Sequence, residues 1–288
     1  MCLVALALHK NRRFPLVVAA NRDEYFQRPT ARLAWWTPQD GGPAILSGRD
    51  LESGGTWLGL TAQGRFGLLT NLRDARRSNF EGAPSRGHIV PHWLSARDPI
   101  DKFWMRTAVS GYNGFNLIAA DFRSGDCFWV TNGGAYPKRL ERGIYGLSNA
   151  ALDTPWPKVI ALKEQMREAV EVATSVDTLS AHLFQALADR RTAPDDRLPK
   201  TGVPKERERQ LSAAFIRTPD NSYGTRCSTV IITERVNRHL VTHVMERTFS
   251  AIDGVALLRH STIRRWPPRH TTRAPALAEQ GAVAESEA

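Results

Sequence analysis

The feature that most constrains this sequence is its punctuation, in which short apolar runs alternate with Gly, Asn or Asp. Residues 3–9, 16–21, 45–47, 57–61, 66–70, 117–121, 127–131 and 144–147 are such runs. Apolar runs this short, bounded by turn formers, read as strands, and Gln63-Gly64 and Ser124-Gly125 fall where hairpin turns are needed. Strands joined this tightly are antiparallel. Several runs are apolar at consecutive positions, which predicts sheets covered on both faces. Helical spacing occurs elsewhere. Residues 156–174 follow Pro155 and carry Pro157 in their first turn, and residues 176–190 repeat the pattern with Ser175 or Asp177 as the cap. A weaker helix is read over 86–95, where Pro91 interrupts it. Residues 192–208 are rich in Pro and charge and read as a long surface loop, and strands return at 229–233 and 239–246. Past Trp266-Pro267-Pro268 the apolar content falls, so 269–288 reads as a disordered tail. The expectation is one α/β domain over 1–268, a largely antiparallel sheet with helices packed on it.

Composition narrows the function classes. No apolar run approaches the roughly 20 residues that cross a bilayer. The opening run, residues 3–8, is too short and lacks the basic flank of a secretory signal. Three cysteines without a C-x-x-C pair argue for a reducing compartment, the cytoplasm of a bacterium, and against a disulfide framework or structural zinc. A formal charge of +10 raises nucleic acid as a partner, but the basic residues are scattered and form no basic helix, finger or aromatic-plus-basic sheet. Anionic small molecules suit that charge better. No feature sets an oligomeric state.

Cys2 is the sharpest chemical feature. A small second residue permits removal of Met1, which leaves a thiol and a free α-amine on one residue. That amine, with a pKa of ~7.7–8.0 in peptides, can take the thiol proton in place of a histidine. The plainer reading is a small apolar residue at a chain end. Asn21-Arg22-Asp23-Glu24 directly follows the second run and holds more polar groups than a turn needs. If the first two runs pair as a hairpin, Cys2 lies beside this cluster. Its carboxylates would orient the α-ammonium, and Arg22 would hold a thiolate or a ligand anion. Asn71 and Asn149 each end a strand, suited either to donate to an oxyanion or simply to form a turn. Arg226, before another strand, supplies a second guanidinium or a surface cation. Cys127 and Cys227 read as core. Gly54-Gly55-Thr56-Trp57-Leu58-Gly59 lacks the helix and Lys-Ser/Thr of a phosphate loop and reads as close packing around a buried Trp57. His88 and His92 have no third ligand, so no metal site is expected.

Met1-Cys2, Asn21-Arg22-Asp23-Glu24, the Gly54–Gly59 segment, Thr70-Asn71-Leu72-Arg73, Gly146-Leu147-Ser148-Asn149, the run from Leu152 to Lys158, and Tyr223-Gly224-Thr225-Arg226 together resemble the NRDE family, that of the transport-and-Golgi-organisation protein 2 homologues. The resemblance runs in order from Met1 to about Phe249. It implies a fold similar to the N-terminal-nucleophile hydrolases, an αββα sandwich of two mainly antiparallel sheets between helical layers. More distantly it is similar to the cysteine amidases that cleave penicillin V and bile salts. By position Cys2, Arg22, Asp23, Asn149 and Arg226 would then form a catalytic set, with Asn71 beside it. Those amidases separate their Arg and Asp by two residues, whereas Arg22 and Asp23 are adjacent and point to opposite sides of an extended strand. The family also resembles carriers in haem trafficking and in acyl-CoA or lipid handling. That implies a binding and transfer protein for a small amphipathic anion, with Asn21, Glu24, Asn71, Arg73 and Trp57 around the ligand and aromatic side chains over its apolar part. The alternative is an N-terminal-cysteine amidohydrolase acting on a non-peptide C–N bond. Neither reading requires a cofactor, and haem would be cargo with a Cys2 thiolate as a ligand to its iron.

Overall fold

The computed structural model describes residues 2–73, 79–250 and 256–268, so the tail expected over 269–288 lies outside the described residues. Its frame is the first hairpin. β1 (Cys2–Leu8) runs antiparallel to β2 (Leu16–Tyr25), with Cys2 opposite Arg22 and Leu8 opposite Leu16. There follow β3 (Thr30–Trp36), β4 (Ile45–Asp50), β5 (Leu58–Thr61), β6 (Arg65–Asn71), α1 (Ile89–Ser95), α2 (Ile100–Ala108), β7 (Phe115–Asp121), β8 (Asp126–Thr131), β9 (Lys138–Arg139) and β10 (Gly143–Leu147). The remainder is α3 (Pro157–Val172), α4 (Val176–Leu187), α5 (Lys205–Gln210), β11 (Tyr223–Val236), β12 (His239–Thr248) and β13 (Leu257–Arg264).

These strands form two antiparallel sheets, ordered β10-β1-β2-β11-β12-β13 and β3-β4-β5-β6-β7-β8-β9. The alternation of side chains along a strand sorts each apolar run into two layers. Val4, Leu6, Leu16 and Val18 face the second sheet, where they meet Leu60, Phe66, Leu68 and Ile118. Leu3, Ala5, Val17 and Ala19 face the other way, onto Leu162, Met166, Leu183 and Phe184 of α3 and α4. On the far side Ile45, Leu117 and Val130 pack beneath Val90, Trp93 and Phe103 of α1 and α2. The result is the αββα sandwich, and consecutive burial along β1 and β7 follows from having a layer on each face.

Ser175 caps α4 as the sequence predicts, its Oγ accepting from Thr178 N. Two expectations are corrected. Pro91 does not interrupt its helix, because it is the third residue of α1, where a missing N–H has no intrahelical acceptor to lose. Nor is 192–208 a mere surface loop: it contains a 3-10 turn (Asp195–Arg197) and leads into α5, whose Glu208 is buried.

Candidate functional site

The tetrapeptide Asn21-Arg22-Asp23-Glu24 does not follow the second strand; it lies within the strand's second half. Polar residues continue a strand when each side chain finds a partner, and here they do. Asn21 donates to the carbonyls of Leu187 and Ala214 and accepts from Ser228 Oγ at 2.6 Å. Arg22 Nη2 donates to Asp50 Oδ2 at 3.1 Å, Nη1 donates to Thr30 Oγ1, and the guanidinium lies 4.3 Å from the Trp57 ring centre. Asp23 Oδ1 accepts from Thr225 Oγ1 at 2.7 Å. The alternation that sorts the core also sorts these groups. Cys2 and Arg22, paired in register, continue the inter-sheet face, while Asn21 and Asp23 continue the face towards the helices.

Cys2, Arg22, Glu24, Arg28, Asp50, Trp57, Asn71 and Arg86 are among the residues lining a polar cleft of about 250 Å³. Cys2 is 9% exposed, and burial pushes its thiol above the ordinary range. Asp50 is the charge hub, receiving Arg22 and, at 2.7 Å, Arg28 Nε. Burial opposes ionisation there, but the Arg28 hydrogen bond and the Ser53 N–H hold its carboxyl below the usual value. On the helix side, burial raises Asp23 against the pull of Lys158 and Thr225. Lys158, in the first turn of α3, is itself buried, donates to Leu211 O at 2.8 Å, and is lowered by desolvation to about 8. No sequence argument singled it out as a site residue. Its signal was a lysine in the first turn of a helix, where the macrodipole disfavours a cation.

A family model described as Transport and Golgi organisation 2 matches residues 1–251. The chain belongs to this family. It is 37% identical over 235 residues to the Transport and Golgi organization protein 2 homolog of Bos taurus, covering 77% of this chain and 83% of that protein. It is 28% identical over 275 residues to Transport and Golgi organization protein 2 of Drosophila melanogaster, covering 88% and 94%. Among solved structures, the Caenorhabditis elegans ortholog of N-acylethanolamine-hydrolyzing acid amidase matches with a TM-score of 0.45 and 10% identity over 80% of this chain and 92% of that one. A mutant conjugated bile acid hydrolase from Clostridium perfringens matches at 0.43 and 10%, over 91% and 96%.

The two asparagines are placed differently. Asn149 is fully buried, and its Nδ2 donates to Asn71 O at 2.9 Å. Asn71 lines the cleft, and its side-chain amide makes no hydrogen bond among the described residues. Asn149 thus holds the backbone that carries Asn71. Arg226 is not among the cleft's lining residues. It sits where β11 bulges against β2, and its Nη1 donates to the carbonyls of Tyr25 and Arg28. Arg73 pairs with Glu208 at 3.1 Å and stacks 4.6 Å from the Trp156 ring centre, away from the cleft lining. Cys127 and Cys227 are buried in the core and free, with burial pushing Cys127 up to about 12. Among the described residues no group of three His, Cys, Asp or Glu is placed to hold a metal ion, and no helix is long and apolar enough to cross a membrane.

A second cavity, about 360 Å³, opens at the other end of the first hairpin. Leu8, Leu16, Phe122, Cys127, Leu140 and Leu240 line it, and Arg139, Arg142 and Arg235 stand at its exposed rim.

Proposed function

We propose that this chain is an N-terminal-cysteine amidohydrolase, with the Cys2 thiol as nucleophile and a small polar substrate in the cleft. The observation that carries this reading is that a desolvated thiol and an Asn71 amide with no hydrogen bond among the described residues line one cleft of fixed charges. Once Met1 is removed, the Cys2 α-amine takes the thiol proton as Sγ bonds to the substrate's carbonyl carbon. The Asn71 amide is the natural donor to the oxygen that becomes negative, and Asn149 fixes its backbone. Collapse breaks the C–N bond, and the amine departs with the proton held by the α-amine. Water then attacks the thioester, a C–O bond replaces C–S, and the thiol is restored.

A second reading, carriage of an amphipathic anion such as haem or an acyl-CoA, is favoured by one observation: the apolar cavity with its arginine rim. The Cys2 cleft is too small for the whole of such a ligand, since about 250 Å³ lies below the ~300–1,000 Å³ of ordinary ligand pockets, so there it would place only a head group.

The test is intact-mass measurement for loss of Met1, followed by hydrolysis assays across a panel of acyl amides. Wild-type protein lacking Met1 should turn over at least one amide. Cys2→Ala should bind it without turnover, because a nucleophile contributes to the reaction rather than to ground-state binding. Wild-type protein lacking Met1 that cleaves nothing in the panel, or equal turnover by Cys2→Ala, overturns the proposal.

A further inference from the structure

Three arginines line the cleft around Cys2, and two of them are already neutralised. Arg22 has Asp50 at 3.1 Å and Glu24 at 3.8 Å, and Arg28 has Asp50 and Glu52. Arg86 differs. Its Nη1 donates to Gly114 O at 3.1 Å, and no carboxylate among the described residues lies within ion-pairing distance. The side chain is half-buried, so its charge is partly removed from water, and no anion among the described residues replaces it. Burial accordingly holds it below its ordinary value, and the groups that pull the other way are Glu24 and Cys2.

The backbone beneath Arg86 is held rigidly. Ser85 Oγ caps the turn by accepting from Gly87 N, and Gly87 O accepts from Thr56 N at 2.9 Å. Gly55 packs so tightly there that a Cβ on it would come within 2.2 Å of Gly87 O. A guanidinium fixed in this way is preorganised, which lowers the entropy lost when a ligand is captured.

We propose that Arg86 is the recognition residue of the Cys2 cleft and that it selects a compact ligand bearing a carboxylate. The fork of its remaining N–H groups matches a carboxylate's two oxygens. Glu24, which lines the same cleft, disfavours the second negative charge of a phosphate dianion. The cleft's size confines the ligand to a small polar body. The proposal deepens the amidohydrolase reading by naming the charge on the substrate, and it rests on that reading only for the reaction, not for the recognition.

Alkylation of Cys2 in the full-length protein tests this without knowledge of the substrate. Rates with iodoacetate and iodoacetamide are read at the Cys2 peptide by mass spectrometry, and their ratio is compared with that in the urea-unfolded chain. The folded protein should favour iodoacetate by about tenfold or more over the unfolded ratio, the factor that one charge-assisted hydrogen bond supplies. Arg86→Gln should return the ratio to the unfolded value. Arg86→Lys, a point charge without the fork, should retain part of the preference, and it tests the claim even if Arg86→Gln fails to fold. N-acetylglycine should protect Cys2 from iodoacetamide, and N-acetylglycinamide should not. An unchanged ratio on folding, a ratio indifferent to both Arg86 variants, or a Cys2 unreactive to both reagents overturns the proposal. Iodoacetate preference without amide turnover defeats only the hydrolytic reading, and turnover indifferent to substrate charge defeats only this one.

Discussion

The two ends of the β1–β2 hairpin are opposite solutions to the same geometry. At both, the space between the sheets opens to solvent. At the Cys2 end it is filled by a charge network whose centre is Asp50, tied to Arg22 and Arg28. At the Leu8 end, roughly 20 Å along the strand, the walls are aliphatic and the charges stay at an exposed rim. The same alternation of side chains builds both, so the difference lies in which residue types end the strands. Cys2 is buried among charges, whereas Cys127 is buried among aliphatics and pushed up to about 12.

The comparison can be broken most forcefully at Asp50. Asp50→Ala strands two arginines in a partly closed cleft and should lower stability by about 3–5 kcal/mol, as removal of one partner from a buried ion pair does. Urea unfolding measures it, and a loss below about 1 kcal/mol would mean that the network does not hold this end together.

A sharper test lies behind the cleft, at Lys158. Its native value of about 8 lies below its ordinary 10.5, so the folded state holds this proton less tightly than the unfolded chain. Below about 8 both states are protonated and the penalty for burying the cation is fully present. As pH rises from about 8 to 10.5 the folded state loses the proton first, and the penalty fades. The stability of the wild type relative to Lys158→Met should therefore climb across that window. A flat difference would show that Lys158 is not desolvated as described.

The smallest effect is expected at the apolar end. Arg142 has no hydrogen bond or ion pair among the described residues, so Arg142→Ala should change stability by less than about 0.5 kcal/mol. If the cavity takes amphipathic anions, the same change should weaken decanoate binding several-fold by calorimetry while leaving alkylation of Cys2 untouched.

Much of this was legible before any coordinates. The apolar runs gave the hairpin, the coverage of both sheet faces and the neighbourhood of Cys2 and Arg22, because burial and strand alternation are written directly in residue type. Even the divergence of Arg22 and Asp23 followed from their adjacency. What stayed hidden depended on partners distant in sequence. β13 is a largely exposed edge strand of mixed residues, held to β12 by backbone pairing that no side-chain pattern reports. α5 looks like a surface charge run until Arg73 is found against Glu208. The buried position of Asn149 behind the backbone of Asn71 turned on a single hydrogen bond between them. Arg86 reads as any other arginine in sequence, since what sets it apart is that no carboxylate among the described residues pairs with it.

Cys2 begins β1 and at the same time lines the cleft, so anything fused ahead of it is tethered to a residue of the site. An affinity handle or fluorescent reporter fused at that end would cap the α-amine and crowd the cleft together. Loss of activity or of ligand capture in such a fusion would then reflect the label, not the molecule. Reporters belong at the other terminus.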